Sequence, residues 1–130
     1  MVITGGEPYL YNLELLTNRL KDAGITIYVE TSGTEKMSGQ ADWICLSPKK
    51  NHPPLPYFLD HAHELKVIIQ EASDFEWAEK NANAVNKKAL LYLQPEWSAK
   101  ETATPLIIAY VKHNPRWTLS LQTHKYLNIP

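Results

Sequence analysis

The chain has 130 residues, 44% of them hydrophobic and 21% charged, and a formal net charge of −1 at pH 7. This length and composition predict one globular domain over residues 1–130, and they exclude a strongly basic nucleic-acid binder and a membrane-spanning segment. The single cysteine, Cys45, excludes an internal disulfide framework and is typical of a reducing compartment. We therefore expect a cytoplasmic protein that binds neither nucleic acid nor a membrane.

The chain begins with a short predicted strand at residues 2–4, followed by the turn Gly5-Gly6-Glu7-Pro8. The two glycines lack a Cβ atom, so a ligand can approach the main chain closely. Pro8 suits the first position of a helix, and leucines at helical spacing predict a helix over residues 8–22 that Gly24 ends. The turn is either an ordinary connection between strand and helix or a corner that binds a polar small molecule.

Strands and helices alternate along the rest of the chain. The predicted strands cover residues 25–29, 43–46, 64–70, 89–93 and 117–122, which are apolar and rich in β-branched or aromatic residues. Three prolines predict a loop over residues 51–56, and a short helix is predicted near residues 75–82. A further helix lies between residues 98 and 113, beginning at Thr104 as N-cap or kinked at Pro105. This alternation indicates a mostly parallel sheet covered by helices.

Five polar motifs directly follow predicted strands. They are Thr4-Gly5-Gly6-Glu7-Pro8, Glu30-Thr31-Ser32-Gly33-Thr34, Ser47-Pro48-Lys49, Gln94-Pro95-Glu96-Trp97 and Gln122-Thr123-His124. In α/β folds the ligand lies at the edge where parallel strands end. Five such motifs in consecutive order predict one composite site at that edge.

The ordered motifs "ITGGEP", "ETSGT", "LSPK", "LQPEW" and "SLQTHKYLNIP" resemble the 7-carboxy-7-deazaguanine synthase family of radical S-adenosylmethionine enzymes. Many enzymes of the superfamily share the GGEP turn, whereas the tail is specific to this family. The resemblance implies an α/β fold, a partial radical S-adenosylmethionine βα barrel with a mostly parallel sheet. It also implies a carbon–nitrogen lyase that converts 6-carboxy-5,6,7,8-tetrahydropterin to 7-carboxy-7-deazaguanine in queuosine biosynthesis. The implied cofactors are S-adenosylmethionine, a 4Fe-4S cluster and Mg²⁺.

The superfamily binds its cluster through three cysteines, usually spaced CxxxCxxC, upstream of the GGEP turn. Cys45 alone cannot replace three thiolate ligands. We therefore expect a C-terminal portion of the fold that lacks the first strand or strands and the cluster and magnesium ligands, and that is inactive by itself. An unpaired first strand would favour a homodimer at that edge.

The resemblance assigns two sets of binding residues and no catalytic residue or metal ligand. The residues that would bind S-adenosylmethionine are Gly5, Gly6, Glu7, Ser47, Pro48, Lys49, Gln94, Pro95, Glu96 and Trp97. Those that would bind the pterin substrate are Thr4, Glu30, His124 and the C-terminal carboxylate of Pro130. Structural alternatives remain: a tight turn for Gly5 and Gly6, a surface side chain for Lys49, core packing for Trp97 and a frayed terminus for Pro130.

His61 and His63 stand two residues apart at the start of a predicted strand, which would put them on one face. A zinc site would need further ligands, and the sequence offers no other Cys or His at ligand spacing. We therefore expect surface or loop histidines.

Two alternative functions stay open. Another radical S-adenosylmethionine protein, such as an activating enzyme for a glycyl radical enzyme, would share GGEP without sharing the tail. A non-catalytic α/β domain that keeps part of a nucleotide cleft would account for the missing cysteines.

Overall fold

The computed structural model describes residues 1–129, and a six-stranded parallel sheet organises them. The strands lie side by side in chain order: β1 (Val2–Ile3), β2 (Tyr28–Thr31), β3 (Trp43–Leu46), β4 (Glu64–Ile69), β5 (Leu90–Pro95) and β6 (Trp117–Leu119). Parallel strands in sequential order, joined by crossovers of one hand, place their connections on one side of the sheet, as in a βα barrel. This arrangement confirms the predicted α/β class and the parallel sheet.

The helices are α1 (Glu14–Asp22), α2 (Pro56–His61), α3 (Asp74–Ala84), α4 (Lys100–His113) and α5 (Thr123–Tyr126), with a 3-10 turn at Pro8–Leu10. Within residues 1–129, none of them has the length and apolar character needed to cross a bilayer.

The predicted helix over residues 8–22 is two separate elements. The N–H of Tyr11 donates to the carbonyl oxygen of Pro8 at 3.2 Å and closes the 3-10 turn, after which the chain is extended. The side-chain oxygen of Asn12 then accepts the N–H of Glu14 at 2.9 Å, at the start of α1. Leucine spacing alone does not reveal this break. The break depends on a local hydrogen bond between an asparagine side chain and the backbone, which hydrophobic periodicity does not report.

Two short helices were not predicted. Helix α2 begins at Pro56, the last residue of the predicted loop, and its Phe58 is fully buried. Helix α5 is a single turn in which the N–H of Leu127 donates to Thr123 at 2.9 Å. Tertiary packing of Phe58 stabilises α2, which is too short for periodicity to reveal.

Helix α4 begins at Lys100, so Thr104 is not its N-cap and Pro105 lies inside the helix. The alternative that starts the helix at Thr104 was therefore wrong, and a kink at Pro105 stays a prediction, since a proline inside a helix removes one backbone hydrogen bond and crowds the preceding turn. The turn before the helix is fixed instead by Glu96, whose Oε2 accepts the N–H of Ala99 at 3.0 Å.

Several strand boundaries also differ from the predicted ones. Strand β2 begins at Tyr28 rather than residue 25, because the N–H of Ile27 donates to the carboxylate of Asp42 at 2.8 Å instead of joining the ladder. Strand β4 ends at Ile69, and β6 ends at Leu119 rather than residue 122. Strand β5 extends through Pro95, and the N–H of the next residue continues the pairing with Ile69 at 2.8 Å.

The two faces of the sheet differ in chemistry. Along β4 the fully buried residues are Leu65, Val67 and Ile69, and they alternate with the partly exposed residues Glu64, Lys66 and Ile68. The buried set belongs to the same core as Phe58 of α2 and Ile107 of α4. The alternate set points the other way, since successive side chains of a strand face opposite sides. A polar face is therefore left for a ligand site.

Candidate functional site

A polar cleft of about 640 Å³ lies at the C-terminal ends of the strands, within the size range of small-molecule sites. Residues in or just after each of the six strands line it. The predicted site residues among them are Thr4, Gly5, Glu30, Ser47, Lys49, Gln94 and His124. The structure therefore brings together residues from five separate segments of the sequence.

The other predicted site residues do not line this cleft. Gly6 and Glu7 line an adjoining groove of about 270 Å³, which shares Thr4 with the cleft. Pro48 and Pro95 are buried. Pro130 lies outside the described residues.

The glycine turn leaves open space beside its backbone. Gly5 has a φ of +118°, which only glycine adopts readily. A Cβ atom added to Gly6 would meet no heavy atom within 4 Å. The tight turn and the close approach of a ligand are therefore compatible at this position.

Glu7 fastens the glycine turn to the turn after β2. Its Oε1 accepts hydrogen bonds from Thr31 Oγ1 at 2.7 Å and from the N–H of Tyr9 at 3.2 Å. Its Oε2 accepts from the N–H of Ser32 at 2.8 Å and from Ser32 Oγ at 2.5 Å. Burial raises the pKa of Glu7, but the hydrogen bonds from Ser32 and Thr31 outweigh it and hold the pKa below its ordinary value. These hydrogen bonds to the Glu7 carboxylate all stabilise the turn.

Glu7→Gln should lower the free energy of unfolding at pH 7 by about 1–2 kcal/mol, because the amide nitrogen cannot accept from Ser32. The folded-state pKa of Glu7 lies below the ordinary 4.5, so its contribution is full above that value and is lost as the pH falls through the lower folded pKa. Urea unfolding at pH 7 and at pH 3 measures both effects. The difference between parent and variant should shrink at pH 3.

The matched control is Glu101→Gln, since the Glu101 side chain is 86% exposed. This control should change stability by less than about 0.5 kcal/mol at either pH. A Glu7→Gln difference that is equal at pH 7 and pH 3 would show that the carboxylate charge does not hold the turn.

Trp97 contacts the tail of the chain rather than the cleft. Its ring lies edge-on to that of Tyr126, with 5.3 Å between the ring centroids, and the Nζ atoms of Lys100 and Lys125 lie 4.8 and 5.0 Å from its centroid. The contacts with Tyr126 and Lys125 hold α5 beside the strand ends, where His124 lines the cleft. Of the predicted Gln94-Pro95-Glu96-Trp97 motif, Gln94 alone lines the cleft.

Sequence reasoning missed Lys66, which lies on β4 in the cleft. Its Nζ lies 2.8 Å from Oε2 of Glu30. Burial lowers the pKa of Lys66, but the neighbouring Cys45, Glu30 and Glu64 outweigh it and raise the pKa above its ordinary value. The alternation of "ELKVII" was the available signal, because it puts Lys66 on the face opposite the core. The other unpredicted lining residues are Ile68, Ser120, Leu121 and Gln122.

His61 and His63 do not share a strand face, so that prediction was wrong. His61 ends α2 and stacks on Tyr57 at 4.2 Å, whereas His63 precedes β4 and accepts the N–H of Ile44 on Nδ1 at 3.0 Å. Both line a separate cavity of about 380 Å³ at the start of the strands. Within residues 1–129 there is no cluster of three His, Cys, Asp or Glu that could hold a metal ion.

Comparison with known proteins adds three findings about relatives. The chain is 54% identical over 130 residues to the 7-carboxy-7-deazaguanine synthase of Flavobacterium psychrophilum, and the match covers 100% of this chain and 62% of that protein. It is 38% identical over 152 residues to the 7-carboxy-7-deazaguanine synthase of Prochlorococcus marinus, covering 99% of this chain and 67% of that protein. A crystal structure of QueE from Escherichia coli matches with a TM-score of 0.81 and 34% identity, over 93% of this chain and 55% of that one. No protein-family model matches.

Proposed function

Because the chain belongs to the 7-carboxy-7-deazaguanine synthase family, we propose that its cleft binds S-adenosylmethionine and 6-carboxy-5,6,7,8-tetrahydropterin for the lyase reaction that forms 7-carboxy-7-deazaguanine. The observation that carries the proposal is the convergence of seven predicted site residues on one cleft at the strand ends. The chain spans 62% of the length of the Flavobacterium relative, so the proposal concerns what these residues contribute to the reaction.

The substrate side of the cleft is formed by Thr4, Glu30 and His124. The pterin ring presents several N–H donors along one edge, and a carboxylate such as that of Glu30 accepts them well. Thr4 and His124 offer further polar groups from opposite ends of the chain. Lys49, which belongs to the cofactor set and is exposed at the cleft, supplies a positive charge for the carboxylate of S-adenosylmethionine.

The cofactor side combines the glycine turn with Ser47 and Gln94. The open space beside Gly5 and Gly6 lets the amino-acid part of S-adenosylmethionine approach backbone groups. The side chains of Ser47 and Gln94 both donate and accept hydrogen bonds, which suits the ribose and adenine. These residues would orient the cofactor.

The residues of this chain do not fit an iron–sulfur cluster. Cys45 is the only cysteine, it is 3% exposed, and burial raises the pKa of its thiol, whereas clusters take several thiolates. The cluster, where it is bound, supplies the radical chemistry of the family together with S-adenosylmethionine. We propose that the chain by itself neither binds a cluster nor catalyses the reaction.

A chimera tests this proposal. It joins this chain to the part of the Flavobacterium psychrophilum protein that lies outside the match. After anaerobic reconstitution with iron and sulfide, and with a reductant present, the chimera should convert the pterin to 7-carboxy-7-deazaguanine, as detected by mass spectrometry. The 130-residue chain treated in the same way should form no stoichiometric cluster and no product.

The relative itself is the positive control for reconstitution and assay. A chimera that folds, holds a cluster and still makes no product would contradict the proposal and favour a non-catalytic cleft. A stoichiometric cluster on the 130-residue chain would contradict the part that concerns Cys45.

A further inference from the structure

An ion pair spans the floor of the cleft. Glu30 belongs to β2 and Lys66 to β4, so the 2.8 Å contact between Oε2 and Nζ passes over the intervening strand β3. The Lys66 side chain is 14% exposed and that of Glu30 is 40% exposed. Both residues line the cleft, the lysine as the more enclosed partner and the glutamate as the more exposed one.

The residue beneath this pair is Cys45. It is the register partner of Glu30 on one side and of Glu64 on the other, so its side chain points to the same face. The Cys45 side chain is only 3% exposed. Because it is short, the Lys66 side chain can cross over it and reach Glu30. A long side chain at this position of β3 would stand between Glu30 and Lys66.

The ion pair uses one oxygen of Glu30. Within residues 1–129, Oε2 accepts from Lys66, and Oε1 has no hydrogen-bond donor. Both atoms belong to a residue that lines the cleft. A carboxylate with one oxygen held and the other free is a preorganised acceptor for an incoming N–H group.

We propose that Lys66 is a positioning residue that holds Oε2 of Glu30, so that Oε1 accepts an N–H of the pterin ring. The inference rests on the proposed function, because it takes the pterin as the ligand of Glu30. Lys66 acts through Glu30 and does not touch the substrate. The neighbouring acids keep Lys66 protonated, which maintains the pair.

A double-mutant cycle on the 130-residue chain tests the proposal. Isothermal titration with 6-carboxy-5,6,7,8-tetrahydropterin, and separately with S-adenosylmethionine, is applied to the parent, Lys66→Met, Glu30→Gln and the double variant. Lys66→Met should weaken pterin binding about tenfold, because Glu30 must then be ordered on binding, and should change S-adenosylmethionine binding less than about twofold. In the Glu30→Gln background, Lys66→Met should have almost no further effect on pterin binding.

Lys66→Arg should keep pterin binding within about threefold of the parent, since arginine also pairs with a carboxylate. Lys80→Met, at an exposed position of α3, is the control for loss of a positive charge. If Lys66→Met does not fold, as judged by circular dichroism, Lys66→Gln replaces it in the cycle.

Two results would overturn the inference. Equal pterin affinity of Lys66→Met and the parent would show that the pair does not position Glu30. Additive losses in the double variant would show that Lys66 binds the ligand directly. A parent chain that binds no pterin would instead count against the proposed function itself, which separates the two failures.

Discussion

Gly33→Ala is expected to lower the free energy of unfolding by about 3 kcal/mol, from backbone strain and overpacking together. Gly33 has a φ of +75°, where a Cβ atom is unfavourable. The added Cβ would also stand 2.7 Å from Cδ1 of Leu46, 3.0 Å from Cβ of Pro54 and 3.2 Å from Cβ of Phe58. The turn after β2 therefore packs too closely on α2 to accept a methyl group.

Gly24→Ala separates the two causes. Gly24 has a φ of +71°, but an added Cβ there would meet nothing within 4 Å. In this control the free energy of unfolding should fall only by the contribution of backbone strain, about 1 kcal/mol. Urea unfolding of the two variants measures the difference, and equal losses would show that the contacts with Leu46 and Phe58 do not restrict the turn.

Gly6→Val is expected to weaken S-adenosylmethionine binding by about two orders of magnitude, which corresponds to about 2.7 kcal/mol. The space beside Gly6 is open in the folded chain, where an added Cβ atom meets no heavy atom within 4 Å, so we expect a valine side chain to be tolerated by the fold. In the proposed function that space is occupied by the amino-acid part of the cofactor. The side chain would therefore compete with the ligand while leaving the fold intact.

A graded series gives the control for this substitution. Gly6→Ala should have an intermediate effect on S-adenosylmethionine binding, and both variants should unfold within about 0.5 kcal/mol of the parent. Isothermal titration measures the affinities. Unchanged affinity in a folded Gly6→Val chain would remove the glycine turn from the cofactor site.

The sheet and the polar edge at its strand ends could be predicted because they depend on local signals. Apolar runs mark the strands, and polar turn residues such as Gly5 and Ser47 mark where they end. Alternation of strand and helix then predicts a parallel sheet, whereas the order of the strands comes from the structure. These signals predict Glu30 and Gln94 at the same edge, where both line the cleft.

The unpredicted features depend on contacts between distant parts of the chain. Helix α2 exists because Phe58 is buried in the core, and the break before α1 depends on the side chain of Asn12. Lys66 sits inside a strand and not in a turn, so a search restricted to strand ends overlooks it. Its role becomes visible only when the register of β2, β3 and β4 brings it to Glu30.

Trp97 and Glu7 show a second limit of motif reasoning. Both belong to motifs that meet the cleft, yet Glu7 fixes a turn and Trp97 holds the tail. A sequence motif does not show which of its residues contacts a ligand and which supports the loop. Side-chain contacts are needed to separate them.

The central claim is that one cleft at the strand ends binds both small molecules. Backbone amide shifts in a ¹⁵N-labelled chain, followed by NMR as each ligand is added, test it most directly. Saturable shifts on adding S-adenosylmethionine are expected at Gly5, Ser47 and Gln94 in the cleft and at Gly6 in the adjoining groove, and on adding the pterin at Thr4, Glu30 and His124. Shifts confined to the cavity around His61 and His63 at the start of the strands, or no saturable shift with either ligand, would contradict the claim.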